Sequence, residues 1–379
     1  MSRILMVTTV DITLQAFLLP LATSFRERGF FVDCLACGAS GNANLRSHFD
    51  AVYDAGWSRR VLENKQFFNI VHELRTLVSD NHYDVVHVHT PIAGLIVRFA
   101  LRNLRSRKKV KVIYTAHGFH FCETNGWLKN FIYRSIERVA GRWLDAIITI
   151  NEDDYRACTE QLRIPLAKVY KFPGVGIATD CYPRAVASGQ ERELLVSLDI
   201  ERFKFRLIMV AEFNPGKRHI DAIDALTRLN NPSVVLMCAG VGPLMEQVKQ
   251  YAYDKGVSGQ VRFLGFRSDI PELLAISDLA VFPSIREGLP RFVMEAMASG
   301  VPVVGYNIRG VRDLLSAGVG VLCDPYDVQG LAEGVESLLE SEEQRAKLAA
   351  KGLERIRDYD VSLVIKAHDE LYNELLEKA

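Results

Sequence analysis

Two stretches, RILMVTTV (residues 3–10) and RLIMVAEF (206–213), share one pattern: a basic residue, an apolar run, then a short polar turn leading into a helix-like segment. Each reads as the first, buried strand of a parallel sheet, because only a strand covered on both faces tolerates so continuous an apolar run. Further apolar runs follow each of them. In the first half they are FFVDCLAC, DVVHVHT, VKVIYTAHG and AIITIN; in the second they are SVVLMCAG, VRFLGF, LAVFPS and VPVVGY. Strands alternating with helical stretches imply βαβ units, and hence an α/β chain of two doubly wound domains. The chain has 379 residues, and single cores stop growing near roughly 250–300. The break is expected in KFPGVGIATDCYPR (171–184), where Pro and Gly interrupt all periodicity. The expected domains are therefore 1–175 and 185–360, with a final helix over 361–377 that crosses back onto the first.

Composition narrows the function. Lys plus Arg equals Asp plus Glu at 46 each, so no global field draws the chain to nucleic acid. No apolar run reaches the ~18 residues of a membrane-spanning helix, and Asp11 and Gln15 interrupt what would be a leader's apolar region. Seven cysteines without regular spacing argue for a reducing, cytoplasmic setting. Cys34 and Cys37 form a C-x-x-C, but within an expected strand, which favours a structural role over a redox pair.

Ligands of open α/β sheets bind beyond the carboxyl ends of the strands. That rule selects Thr9–Thr13, His89–Thr90, His117–His120 and Asn151–Asp154 in the first half, and the segments 212–218, 240–243, 266–269 and 284–291 in the second. Two such edges facing each other would form a deep interdomain cleft. The segment SIREGLPRFVMEAMASGVPVVG (284–305) places Glu287 before a helix that Pro290 starts and Gly300 with Pro302 stops, and puts Glu295 on its second turn. A helix N-terminus suits a phosphate, and flanking carboxylates suit polyol hydroxyls. The plainer reading makes Glu287 a cap and Glu295 a surface residue.

SIREGLPRFVMEAMASGVPVV resembles the E-x7-E signature of the family-four retaining glycosyltransferases, which have the GT-B fold of two Rossmann-like domains across a cleft. LIMVAEFNPGKRHIDAI, LMCAGVGPLMEQV and VRFLGFRSDIPELLAISDLAVFPS resemble the family in the same order, and VHVHTPIAGLI, YTAHGFHF and ITINEDDYRA resemble members that build bacterial capsule, O-antigen or exopolysaccharide. The resemblance implies roles residue by residue. Glu295 would hold the ribose hydroxyls of the nucleotide, and Glu287 would touch the donor sugar. Lys217 would neutralise the diphosphate, while Gly288, Leu289 and Pro290 would form the loop whose N–H groups meet sugar and phosphate. Phe266 and Arg267 would read the base through their backbone, Gly240 and Gly242 would lie beside the nucleotide, and His117 would approach the sugar from the first domain. No cofactor or metal ion is expected, and NEDD (151–154) reads as a helix start rather than a metal ligand set.

Two departures stand out. Family members usually carry an arginine five residues before the lysine, where this chain has Glu212; Arg218 or Arg291 would supply the missing charge, with Glu212 pairing to Arg291. The loop TTVDITLQAF also lacks the paired glycines of many relatives, which leaves contacts at Thr9 open. His117 has a plainer reading as a hydrogen-bonded core residue. Of His87 and His89, one is expected to face the cleft side, and His89 is nearer the strand end.

The segment 97–111 holds seven basic residues in fifteen, and 127–143 sets Trp127, Phe131, Ile132, Ile136 and Val139 at helical spacing among Lys129, Arg134 and Arg138. These suit peripheral contact of 97–143 with an inner membrane leaflet, or else a solvated loop and a helix facing the core. The expected activity is transfer of a sugar from a nucleotide-sugar donor, a UDP-sugar, to a lipid-linked saccharide acceptor. The rival readings are an epimerase of the same fold and a non-catalytic sugar-binding protein.

Overall fold

The computed structural model describes residues 2–57, 67–122 and 125–377. The chain divides into two compact units, Met1–Gly176 with Val361–Ala379, and Ile177–Asp360. In the first unit, β1 (Arg3–Val10), β2 (Phe31–Cys37), β3 (Val52–Asp54), β4 (Val85–Val88), β5 (Lys111–Ala116), β6 (Ala146–Thr149) and β7 (Val169–Lys171) form one sheet in the order β3-β2-β1-β4-β5-β6-β7. Every neighbouring pair is parallel. Its alternating side chains feed two cores. Leu5, Val7, Val86, Val88 and Tyr114 pack on one face; Ile4, Met6, Val85, Ile113 and Ile148 pack on the other. That division is why the strands read as unbroken apolar runs.

The second unit repeats the plan with β8 (Phe205–Val210), β9 (Val234–Ala239), β10 (Val261–Gly265), β11 (Leu279–Phe282), β12 (Val303–Tyr306) and β13 (Val321–Cys323), ordered β10-β9-β8-β11-β12-β13 and parallel throughout. The sequence reading misses β3, β7 and β13. Each has three residues, lies at a sheet edge and exists through its pairing with a longer neighbour, so no local period announces it.

The helix Val361–Glu377 belongs to the first unit. Tyr372 stacks on Phe25 at 4.8 Å and its hydroxyl meets His87 Nδ1 at 2.6 Å, while Asp369 pairs with Arg28. Gly176, at φ +74°, lets the chain pass this helix: a Cβ there would lie 2.6 Å from the Val361 Cα. All seven cysteines are free thiols; Cys34 is buried on β2, and burial pushes its pKa up to about 12. Among the described residues no helix is long and apolar enough to cross a membrane.

Candidate active site

In each sheet the strand order reverses once, between β1 and β4 and between β8 and β11. Loops leaving those two strands diverge, and the crevice they open is where an α/β sheet takes its ligand. In the second unit the diverging loops carry Lys217 and Glu287. Lys217 Nζ lies 2.5 Å from Glu287 Oε1, and the Ser284 hydroxyl donates to the same oxygen at 2.6 Å. The two loops are sewn together by Ile285 N–H donating to the Gly216 carbonyl at 3.0 Å, and Ser284 Oγ reaches that carbonyl too. Arg309, in the loop after β12, donates from Nε to the Glu287 carbonyl at 3.0 Å. Gly310 beside it has φ +77°, and a Cβ there would stand 2.1 Å from the Gly288 carbonyl oxygen. The Gly288–Leu289 backbone is thus pinned from behind.

Pro290 is the N-cap of the helix Arg291–Ala298, so the helix begins one residue later than the expected start at Pro290. With no acceptor among their own preceding turn, the first N–H groups of this helix point out of its N-terminus. Glu295 is buried at 9% exposure, so it is no surface residue, and Glu287 is not the cap. Two donors meet on a single oxygen of Glu295: the Tyr182 hydroxyl at 2.9 Å and Arg291 Nε at 2.9 Å. Burial, with the Glu295 charge adding to it, raises the Tyr182 pKa and keeps the phenol protonated as a donor. Tyr182 sits in the expected domain boundary, and nothing in its local sequence marks it as a partner of a residue 113 positions on.

The structure does not pair Glu212 with Arg291. Arg291 is engaged by Glu295, and Glu212 is exposed and accepts from Asn214 Nδ2. Arg218, in the left-handed region at φ 55°, is clamped through two nitrogens by Asp221, which also accepts from the Tyr306 hydroxyl at 2.7 Å. The clamp fixes the start of the helix His219–Leu229 and with it the Lys217 loop. Next to Lys217, His219 stacks on Phe213 at 3.9 Å; burial, then the lysine charge, lowers its pKa to about 4.

Gly240 and Gly242 precede the helix Met245–Asp254. Cβ atoms there would fall 2.1 Å from the Ala211 carbonyl oxygen and 2.6 Å from the Phe213 backbone, so these glycines serve close approach of the loops after β8 and β9. Phe266 is 80% exposed beyond β10, and the Arg267 guanidinium is held by Asp269.

In the first unit, Thr9 N–H donates to Thr90 Oγ1 at 2.9 Å, and the two hydroxyls are 2.6 Å apart, which ties the end of β1 to the loop after β4. His89 is buried and His117 half-buried, with His117 Nε2 and His89 Nδ1 3.4 Å apart. The expectation that only one of His87 and His89 faces a given side is wrong. Residues two apart on a strand share a face, and the two rings lie 3.9 Å apart. His87 is a structural partner, bonded to Tyr372 and, at 2.7 Å, to Thr115 Oγ1. Burial, then His368, lowers the His117 pKa to about 4, so the imidazole is neutral near pH 7. Phe17, His89, Thr115, His117 and His368 are among the residues that line a cavity of about 20 Å³.

The basic segment 97–111 does not form one charged face. Arg98 is fully buried against Glu137, Arg105 pairs with Asp145, and Arg102 bonds the Phe99 carbonyl. Asn151–Asp154 is a helix start as expected, with the Asn151 side chain accepting from the Asp154 N–H.

Two parallel-sheet domains of this topology are the domains of GT-B glycosyltransferases, and known proteins bear this out. The crystal structure of Anabaena Alr3699/HepE in complex with UDP-glucose superposes with a TM-score of 0.81 over 99% of this chain and 100% of that one, at 21% identity. Residues 15–174 match the Glycosyltransferase Family 4 model and 191–355 match Glycosyl transferases group 1. The Bacillus subtilis protein EpsD is 31% identical over 374 residues, 98% of this chain and 96% of its own length. The Escherichia coli UDP-Gal:alpha-D-GlcNAc-diphosphoundecaprenol alpha-1,3-galactosyltransferase is 30% identical over 242 residues, 62% of this chain and 61% of that protein. The chain belongs to glycosyltransferase family 4. It is a glycosyltransferase, and the Rhizobium meliloti lipopolysaccharide core biosynthesis glycosyltransferase LpsE is 34% identical to it over 135 residues, 35% of this chain and 39% of that protein.

Proposed function

We propose that the chain moves a sugar from a UDP-sugar to a saccharide carried on a polyprenyl diphosphate, with retention at the anomeric carbon and without a metal ion. The observation that carries the reading is the Lys217–Glu287 pair at the reversal point of the second sheet, with Glu295 oriented on the adjoining helix. In the reaction the bond between the anomeric carbon and the diphosphate oxygen breaks, a bond to the acceptor oxygen forms, and the acceptor's hydroxyl proton is released. Negative charge grows on the departing diphosphate. Lys217 and the N–H groups ahead of Arg291 stand ready for it, the fixed-dipole arrangement that stabilises a leaving group at little reorganisation cost. Diphosphate would draw Lys217 away from Glu287, freeing that carboxylate for the sugar, while Glu295 takes ribose hydroxyls. His117, neutral, is the first unit's candidate contact to the sugar as a hydrogen-bonding group rather than a charge. The UDP-glucose complex of HepE and the name of the Escherichia coli relative support the donor and the lipid-borne acceptor. Such an acceptor places the enzyme at the cytoplasmic face of a membrane.

The test is thermal shift of the chain against nucleoside diphosphates and their sugars, repeated on Lys217→Ala and Glu295→Ala. Stabilisation by uridine compounds that both variants lose supports the reading. Equal shifts in the variants and the parent overturn the assigned site.

A further inference from the structure

We propose that the outward face of the helix Trp127–Ala140 seats on an anionic phospholipid surface. An ordinary surface helix turns its apolar stripe to the core. This one is inverted. Trp127 is 79% exposed and Phe131 63%, and Leu128, Ile132, Ile136 and Val139 are exposed with them, whereas the buried positions are Asn130, Glu137 and Ala140.

The inversion is built in. Arg98, fully buried on the helix Pro91–Ser106, donates from one terminal nitrogen to Glu137 at 2.9 Å and from Nε to the Gly94 carbonyl at 2.8 Å; its guanidinium lies 4.2 Å from the centre of the Tyr114 ring. Asn130 accepts from the Cys122 N–H and donates to the Cys122 carbonyl. Rolling the helix to hide its apolar side would pull Glu137 away from Arg98 and leave a buried cation uncompensated, the costly outcome for such a pair. A buried ion pair therefore holds the apolar ridge in solvent.

Charge selects the occupant. The helix has one acid, Glu137, and it points inward, while Lys129, Arg134 and Arg138 are exposed along the ridge. Arg138 also donates to the Gln161 carbonyl and Arg134 lies near the Phe121 ring, so both are held close to the surface. An apolar ridge flanked by cations matches acyl chains flanked by anionic headgroups, with the tryptophan at the boundary between them. A second copy of the chain is the poorer occupant, because a two-fold contact would oppose the same three cations to themselves. The inference deepens the reading of a lipid-borne acceptor, yet its test needs neither donor nor acceptor.

The full chain is sedimented with vesicles of phosphatidylcholine mixed with phosphatidylglycerol and with vesicles of phosphatidylcholine alone. Binding to the mixed vesicles is expected, falling with salt, and each cation near such a surface contributes roughly five-fold to partitioning. Phe131→Glu with Ile132→Glu should cut binding at least tenfold, and Lys129→Glu with Arg134→Glu by a comparable factor, with melting temperatures unchanged because these side chains are exposed. Equal binding by parent and variants, or equal binding to both kinds of vesicle, overturns the proposal. So does self-association of the parent, without vesicle binding, that the Phe131→Glu/Ile132→Glu variant abolishes. Loss of vesicle binding with nucleotide-dependent thermal shifts intact separates this inference from the donor site.

Discussion

Tyr182→Phe tests how Glu295, the carboxylate proposed to take ribose hydroxyls, is held. The hydroxyl shares one oxygen of Glu295 with Arg291 Nε, each at 2.9 Å. With that oxygen occupied, the carboxylate is fixed in rotation and its other oxygen is presented in one direction. Hydrogen bonds to charged groups are worth about 1.5–3 kcal/mol. One of the two donors survives the substitution, so the loss should lie at the low end, about 1–1.5 kcal/mol, or a five- to tenfold rise in Kd for a nucleoside diphosphate. Glu295→Ala, which removes the other carboxylate oxygen as well, should cost clearly more. Titration calorimetry with UDP and with its 2′- and 3′-deoxy forms measures both. Tyr182→Phe should weaken UDP more than at least one deoxy form, because the lost orientation matters only to the hydroxyl that Glu295 receives. A Kd unchanged from the parent, or a loss identical for UDP and both deoxy forms, would refute the argument and return Tyr182 to a packing role.

Four further outcomes are expected. Gly310→Ala, which sets a methyl group against the Gly288 carbonyl at a left-handed φ, should destabilise by more than about 1 kcal/mol and weaken nucleotide binding; melting and calorimetry on one sample check both. Glu137→Ala should cost about 3–5 kcal/mol by stranding Arg98, and Arg98→Met should recover part of it in the double variant. Trp57, Trp127 and Trp143 all belong to the first unit, so tryptophan fluorescence in urea follows that unit alone. Acid should weaken the first unit through its buried histidines: burial lowers His368 to about 4 and holds His87 and His89 well below the usual range. The unfolded chain binds protons below about 6.5 while the folded chain does not, so stability is flat above neutrality and falls from pH 6.5 toward 4. His368 alone contributes about 3 kcal/mol to that fall. Urea midpoints at several pH values should show a shallower acid slope in His368→Gln, and an unaltered slope would count against it.

The sequence by itself determined the plan of the chain. Apolar runs of strand length, separated by helical stretches, leave parallel sheets as the arrangement that buries them, and period is a local property that any window of the chain displays. The carboxyl-edge rule then located Lys217, Glu287 and His117 without coordinates, since it depends only on where a strand stops. Partnership is another matter. Tyr182 with Glu295, Lys217 with Glu287, Arg309 with the Glu287 carbonyl and Arg98 with Glu137 join residues tens of positions apart, and nothing in either local sequence specifies the other. Glu212 shows the consequence: the sequence reading pairs it with Arg291, whereas the fold gives Arg291 to Glu295 one helical turn away. The helix Trp127–Ala140 shows it most plainly. Its spacing announces an amphipathic helix, but which face turns inward depends on partners elsewhere in the chain: Arg98, buried on another helix, holds Glu137 inward, a contact that no local period encodes.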